Sequence, residues 1–172
     1  MKTRGFEIVS RLEGKDIKLP ERSTKGSAGY DFFAYEDVVI PSSTVPDLFS
    51  LSRDLITGEQ RLNMGRVKPT LVKTGIKAYM QDDEVLELYN RSSNPKKLGL
   101  IMANSVGVID KDYYGNSDND GEICFAFFNI FPIPVQIKKG EKIGQGIFKN
   151  YLIADDDNAC GERTGGFGST GN

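Results

Sequence analysis

The stretch TLVKTGIKAYM, Thr70–Met80, decides the fold class. It is strand-like on both sides of Gly75, and the glycine reads as a bulge or a turn. Working outward, the same texture recurs along the chain. FEIVS (Phe6–Ser10) alternates, YDFFA (Tyr30–Ala34) follows Gly29, and DVVIP (Asp37–Pro41) leads into a proline. EVLELY (Glu84–Tyr89), LGLIMAN (Leu98–Asn104), EICFAFFNI (Glu122–Ile130), IPVQI (Ile133–Ile137) and KIGQGIF (Lys142–Phe148) continue the series. Seven prolines and 19 glycines supply the corners between them. Short apolar segments at regular spacing, separated by turn residues, predict an all-β sandwich or small barrel without internal repeats.

One segment departs from this pattern. In STVPDLFSLSRDLITGEQ (Ser43–Gln60), Thr44 stands at an N-cap with Asp47 three residues on, a capping box, and Pro46 falls in the first turn. Val45, Leu48, Phe49 and Ile56 share a face, and Gly58 can end the helix. The spacing predicts an amphipathic helix inserted into a β-domain. It either packs on the domain's own surface or offers a contact to a partner.

The 172 residues are enough for one domain with its own core, and 38% hydrophobic against 27% charged residues predicts a soluble, globular chain. A net charge of −2 with no basic stripe argues against direct nucleic-acid binding. The start, MKTRGFEIVSRLEGK, has no apolar run behind its basic residues, so it does not read as a signal peptide. No stretch approaches the roughly 20 apolar residues of a membrane span. Cys124 lies in an apolar run and reads as core. With Cys160 it is expected to be free, in a reducing, cytoplasmic setting. Histidine is absent altogether. That removes Ser-His-Asp and Cys-His catalysis and the commonest zinc ligand. Any catalysis must rest on carboxylates, hydroxyls, Arg, Lys or Tyr, with an oxygen-ligated ion such as Mg²⁺ as the natural metal.

Five segments together fit a phosphate-ester problem. STKGSAGYDFFA places small, flexible residues before Asp31. YNRSSNP sets Arg91 beside two hydroxyls, Ser92 and Ser93, in a turn that can offer a guanidinium, hydroxyls and backbone N–H groups to phosphate oxygens. In NSVGVIDKDYYGN, Val108 and Ile109 precede Asp110, Asp112 and Tyr113 follow, and Gly107 and Gly115 bracket the unit like the ends of a hairpin. A carboxylate at a strand end beside apolar neighbours can serve as general base for water, or it can simply cap its own turn. KKGEKIGQGIF places the Gln145 amide between glycines, available to a ligand or to a neighbouring strand. The tail RTGGFGSTGN offers Arg163, the hydroxyls of Ser169 and Thr170, glycines that let the backbone approach phosphates, and Phe167 as a flat face for a base.

In this order the five segments resemble those of the trimeric dUTPase family, from AGYDFFA to GGFGSTG. GVIDKDYYG and GGFGSTG are the most specific. The resemblance implies an all-β, distorted jelly-roll-like barrel over residues 1–154 with a short helical insertion at about 43–67. Residues 155–172 would form a mobile C-terminal arm that closes over an active site. It implies a homotrimer with active sites between subunits, and Mg²⁺-dependent hydrolysis of dUTP to dUMP and pyrophosphate. Asp110 would activate the water that attacks the α-phosphorus, and Asp31 would hold waters of the Mg²⁺ shell. Arg91, Ser92, Ser93 and Gln145 would serve the phosphates. Asn104 and the backbone from Gly107 through Val108 and Ile109 to Tyr113 would read the uracil edge. The Tyr113 ring would pack on the deoxyribose and leave no room for a 2′-hydroxyl. Arg163, Phe167, Gly168, Ser169 and Thr170 would belong to the arm.

The chain departs from the family's common pattern in four places. Ser93 replaces a usual glycine, Gly144 stands where alanine commonly precedes the glutamine, Arg163 sits one residue closer to the glycine pair, and SDNDG (Ser117–Gly121) lengthens the third segment. Two rival functions remain. The nearest rival enzyme is the dCTP deaminase family, which shares the expected fold, but in GEICFAFFN Ala126 falls where that family has its catalytic glutamate, and an aliphatic side chain cannot shuttle protons. A nucleotide-switched binding protein is the other, with the 43–67 insertion and Ser117–Gly121 as candidate partner surfaces.

Overall fold

The computed structural model describes residues 2–43 and 68–161, together with Arg163 and Gly165, and the expected strands form. They are β1 (Gly5–Ile8), β2 (Tyr30–Phe33), β3 (Val38–Ile40), β4 (Thr70–Lys73), β5 (Ile76–Tyr79), β6 (Glu84–Asn90), β7 (Leu100–Met102), β8 (Gly107–Ile109), β9 (Cys124–Asn129), β10 (Val135–Ile137) and β11 (Lys142–Asn150). The ladders are antiparallel. They build a four-stranded sheet in the order β2-β11-β6-β8, a three-stranded sheet β4-β9-β7, and the pairs β1-β5 and β3-β10. This is the expected all-β, jelly-roll-like barrel. The segment expected to form the insertion's amphipathic helix lies outside the described residues from 44 to 67, and among the described residues no helix is long and apolar enough to cross a membrane.

Gly75 turns out to be a corner. β4 pairs with β9 and β5 pairs with β1, so the chain changes sheets between Lys73 and Ile76. Gly75 has φ +72°, and a Cβ there would lie 2.9 Å from Leu12 Cδ1. Both the left-handed backbone and the close neighbour call for glycine.

Alternation places the core. On β9, Phe125, Phe127 and Asn129 point inward; on β6, Leu86 and Leu88 do so. With Phe32, Val72, Ile76, Leu100 and Ile143 they form one apolar cluster. Phe125 is fully buried, 5.6 Å from the Phe32 ring and stacked 6.2 Å from Phe127. Each such side chain contributes about 1.5–3 kcal/mol by leaving water. Phe125 also explains Gly144: a Cβ there would lie 2.0 Å from the Phe125 Cε1.

A helix was not expected at YNRSSNP, where the sequence reads as a plain turn. The structure continues the turn into α1 (Ser93–Leu98). Pro95 is in the first turn, where its missing N–H costs nothing, and Gly99 ends the helix at φ +62°. Buried Asn94 ties α1 down by donating to Asn90 Oδ1 (2.8 Å) and to the Ile143 carbonyl (2.9 Å). Ser93 is thus an ordinary first helical residue, which is why a side chain is accepted there.

Candidate active site

A cavity of about 710 Å³ opens where β4, β6, β8 and β9 meet. Asn104, Gly107, Val108, Ile109, Asp110, Tyr113 and Arg163 all line it, so the third predicted segment and the arm's arginine converge on one space. Leu71, Leu88, Cys124 and Ala126 supply an apolar floor. Gly107 lets β8 come close, since a Cβ there would lie 3.1 Å from Leu88 Cβ and 3.4 Å from the Asn104 amide nitrogen. The segment is not a hairpin. β8 pairs with β6, and the chain then makes a 3-10 turn over Lys111–Tyr113.

Asp110 sits at the start of that turn, yet its side chain makes no capping bond. Its Oδ2 accepts from the Arg163 guanidinium instead. Arg163 also donates through Nε to Asp112 Oδ1 at 2.7 Å and lies over the Tyr113 ring, 5.6 Å from its centroid. The shifted spacing of Arg163 therefore does not keep it from this cavity. Phe167, Gly168, Ser169 and Thr170 lie outside the described residues.

Tyr113 is buried, at 5% exposure, and its hydroxyl donates to the Glu122 carbonyl at 3.2 Å. Burial holds the phenol above its ordinary range, against the opposing hydrogen bond from Asn119. Glu122, the buried carboxylate of the cavity, is engaged by Arg11 at 2.6 Å and by the Gly75 N–H at 3.1 Å. Ala126 lines the cavity without any acid–base group. Cys124 is only partly buried, not core as its apolar run suggests. Burial and nearby Glu122 nonetheless raise its thiol to about 12. Both cysteines are free.

The residues expected to serve the phosphates lie elsewhere on the molecule. Asp31, on β2, lies in register with Gln145 of β11, and Gln145 in turn with Tyr89 of β6. Burial works against the Asp31 carboxylate, but hydrogen bonds from Lys142 Nζ (2.6 Å) and Ser23 Oγ (2.6 Å) prevail and hold its pKa below the ordinary value. Gln145 packs over Gly29, where a Cβ would meet the Gln145 Oε1 at 2.3 Å. Arg91 donates to the Lys142 carbonyl at 2.8 Å, and Arg91, Ser93 and Lys142 line a second cavity of about 360 Å³. Ser92 is exposed beside them. Among the described residues, none lines both cavities. The β2 and β8 strands stand three steps apart in the sheet, roughly 14 Å at the usual strand spacing.

No motif in the sequence marks Lys142 or Ser23. A register shift between Lys142 and Gly144 brings Lys142 and Gln145, three residues apart, to the same side of β11. A strict period of two would separate them.

A jelly-roll barrel with a carboxylate, an arginine and a tyrosine around an apolar cavity has the lining of a broad class of proteins that bind a ring-bearing, charged ligand. Comparison with known proteins identifies the member of that class. A dUTPase family model matches residues 53–171. A deoxyuridine 5'-triphosphate nucleotidohydrolase of Lactococcus lactis subsp. lactis is 47% identical over 173 residues, covering 99% of each chain. The crystal structure of a dUTPase from Streptococcus mutans superposes with a TM-score of 0.71 at 38% identity, covering 88% of this chain and 98% of that one. A mutant dUTPase of S. aureus phage phi11, described with a coordinated structural Mg(II) ion, shares the fold at a TM-score of 0.62 and 18% identity, covering 92% of this chain and 97% of that one. The chain belongs to the dUTPase family.

Proposed function

We propose that the chain hydrolyses dUTP to dUMP and pyrophosphate, with the cavity beside Asp110 receiving the nucleoside. The observation that carries the reading is the convergence of Asn104, the β8 backbone, Asp110 and Tyr113 on one cavity in a chain of this family. The apolar floor suits a pyrimidine ring, while Asn104 and the β8 backbone can pair with its polar edge. Tyr113 stands as a fixed wall for the deoxyribose. Asp110 accepts the proton of the attacking water as oxygen bonds to the α-phosphorus. The α–β bridging P–O bond breaks and pyrophosphate leaves. Arg163 can exchange Asp110 and Asp112 for phosphate oxygens, freeing the base as it neutralises the triphosphate.

Mg²⁺ fits the donor set. The Asp31 carboxylate is kept ionised by Lys142 and Ser23, and both of those bonds fall on Oδ2, so Oδ1 is the oxygen that a metal-bound water would address. One carboxylate suits an ion held mainly by phosphate and water oxygens. Bound there, Mg²⁺ would neutralise phosphate charge and polarise the attacked phosphorus.

The active assembly in this reading is a homotrimer. Two observations support it. Asp110 and Tyr113 line one cavity of the protomer and Arg91 and Ser93 another, so a neighbouring subunit would bring the two sets to one substrate. The outer face of the β4-β9-β7 sheet is largely apolar: beside exposed Lys73 it carries exposed Leu71 and Ile101 with partly exposed Ala126 and Phe128. The arm assigned to residues 155–172 would then close over the completed site. Localisation in the cytoplasm accords with the two free thiols. The alternative partner surfaces gain no support. The 43–67 segment lies outside the described residues apart from Ser43, and the Ser117–Gly121 extension is tied back onto the barrel.

A pyrophosphate-release assay with dUTP, dCTP, dTTP and UTP tests the reading, with turnover expected for dUTP above all others. Asp110→Asn should retain dUTP binding and lose about 10²- to 10⁴-fold in kcat. Unchanged turnover would remove Asp110 from the base role.

A further inference from the structure

The Asn116–Gly121 stretch lengthens the third segment, yet it turns inward. The Asp120 N–H donates to the Asn116 carbonyl at 2.7 Å and the Glu122 N–H to the Asn119 carbonyl at 3.1 Å, which closes a compact loop. Asp120 and Gly121 take positive φ of 61° and 78° to make it. The Asp120 carboxylate clamps the loop to the barrel wall, accepting from Lys77 Nζ at 2.9 Å and from the Ser10 N–H at 2.7 Å. Lys77 is itself only 8% exposed. A Cβ on Gly121 would lie 2.4 Å from the Tyr113 carbonyl, so the loop sits hard against the Tyr113 backbone.

The side chain that this clamp delivers is Asn119. Its Nδ2 donates to the Tyr113 hydroxyl at 2.7 Å. The amide orientation is decided by its other end, where Oδ1 accepts the Gly121 N–H at 3.1 Å. The Tyr113 hydroxyl spends its proton on the Glu122 carbonyl, so its oxygen must accept, and the Asn119 amide is the group that donates to it. The phenol is thus held on two sides at the far end of a ring whose face borders the cavity.

We infer that Asn119 is a positioning residue for Tyr113, and that the Asn116–Gly121 loop fixes the wall that tells deoxyribose from ribose. The inference rests on the proposed packing of Tyr113 against the substrate's sugar. A phenol free to tilt by a fraction of an ångström would admit a 2′-hydroxyl. A phenol anchored at its hydroxyl excludes it at little entropic cost, because the loop is ordered by Lys77, Ser10 and Glu122 whether or not substrate is present.

The test is a double-mutant cycle read as substrate discrimination. The ratio of kcat/KM for dUTP to that for UTP is measured for the full-length protein and for Asn119→Ala, Tyr113→Phe and the double variant. Asn119→Ala should lower the ratio about three- to tenfold, the worth of one buried hydrogen bond. In the Tyr113→Phe background, which lacks the anchored hydroxyl, the same change should leave the ratio where Tyr113→Phe put it. Equal losses on dUTP and UTP, or an undiminished effect of Asn119→Ala in the Tyr113→Phe background, would overturn the inference. If the wild-type protein does not turn over dUTP, it is the functional reading that fails. The anchoring is then decided by fluorotyrosine NMR with Tyr113→Phe as the assignment control. A Tyr113 resonance shifted and broadened in Asn119→Ala upholds it, and an unmoved resonance ends it.

Discussion

Replacing Gly144 by alanine, the residue commonly found before the glutamine in this family, should destabilise this chain. The methyl would lie 2.0 Å from Phe125 Cε1, 2.6 Å from Cδ1 and 2.7 Å from Cζ. Carbon atoms pack at about 3.5–4.0 Å, so the ring would have to retreat by roughly 1.5–2 Å. It has nowhere to go: Phe125 is 0% exposed and held between Phe32 and Phe127. Overpacking of this kind costs about 1–3 kcal/mol. Gly144 does not need the left-handed region, so alanine would also gain about 0.4–1 kcal/mol by restricting the unfolded chain. The net expectation is about 1–2 kcal/mol of destabilisation, or roughly 2–8 °C in Tm for a chain of this length. Phe125→Leu alone should destabilise by leaving a cavity. In that background Gly144→Ala should turn stabilising, because the methyl enters the vacated space. Urea unfolding followed by circular dichroism, at one fixed protein concentration, measures all four proteins. A Gly144→Ala penalty of the same sign and size in both backgrounds would refute the steric account.

Three further outcomes follow from the same contacts. The Arg4 guanidinium, with the Gln81 N–H at 3.0 Å, holds buried Glu84 down at about 2 against an ordinary 4.5. A depressed carboxylate stabilises the fold fully above its unfolded pKa and ceases to do so as pH falls through the folded one. The stability gap between wild type and Glu84→Gln should therefore be constant above about pH 5, shrink as pH falls through 4.5 towards about 2, and level off only below that; a gap as large at pH 2 as at neutral pH would contradict the pairing. At pH 8 a maleimide should label exposed Cys160 quickly and Cys124 slowly, since burial raises the Cys124 thiol to about 12; two equally fast thiols by mass spectrometry would show that the cavity floor is open. Gly75→Ala, at φ +72° and 2.9 Å from Leu12, should cost more than 1 kcal/mol in the same urea assay, and a neutral result would mean the corner can relax.

Much of the barrel was legible because its signal is local. Alternation in EICFAFFNI and EVLELY states which side chains face inward, and the structure buries Phe125, Phe127, Leu86 and Leu88 accordingly. What stayed hidden depends on contacts between segments. Nothing in RSSNP announces α1, because the helix is held by Asn94 reaching Asn90 and Ile143. The role of Gly75 as a corner depends on β4 and β5 choosing different partners, and pairing is not a property of either strand alone. Glycine at 144 is intelligible only once Phe125 is seen against it.

The candidate site divides along the same line. Asn104, Gly107, Asp110 and Tyr113 lie within ten residues of one another, so a single local geometry of β8 and the following turn brings them together, and a linear motif can encode it. Asp31, Lys142 and Gln145 are joined through strand pairing and a register shift that no periodicity reveals. Strands β8, β2 and β11 belong to one sheet, while Asp110 and Lys142 line different cavities. In the proposed homotrimer, one protomer would lend its phosphate side to another's nucleoside side. Arg163 fits this division. Its spacing is off the common pattern, yet it reaches Asp110 and Asp112. Its pairing with two partly exposed carboxylates is a weak attachment of about 0.2–1 kcal/mol for each bridge, which phosphate oxygens can displace. Under the proposed mechanism, an arginine bound more tightly would keep Asp110 from acting as base; one bound not at all would leave Asp110 and Asp112 to repel an incoming triphosphate.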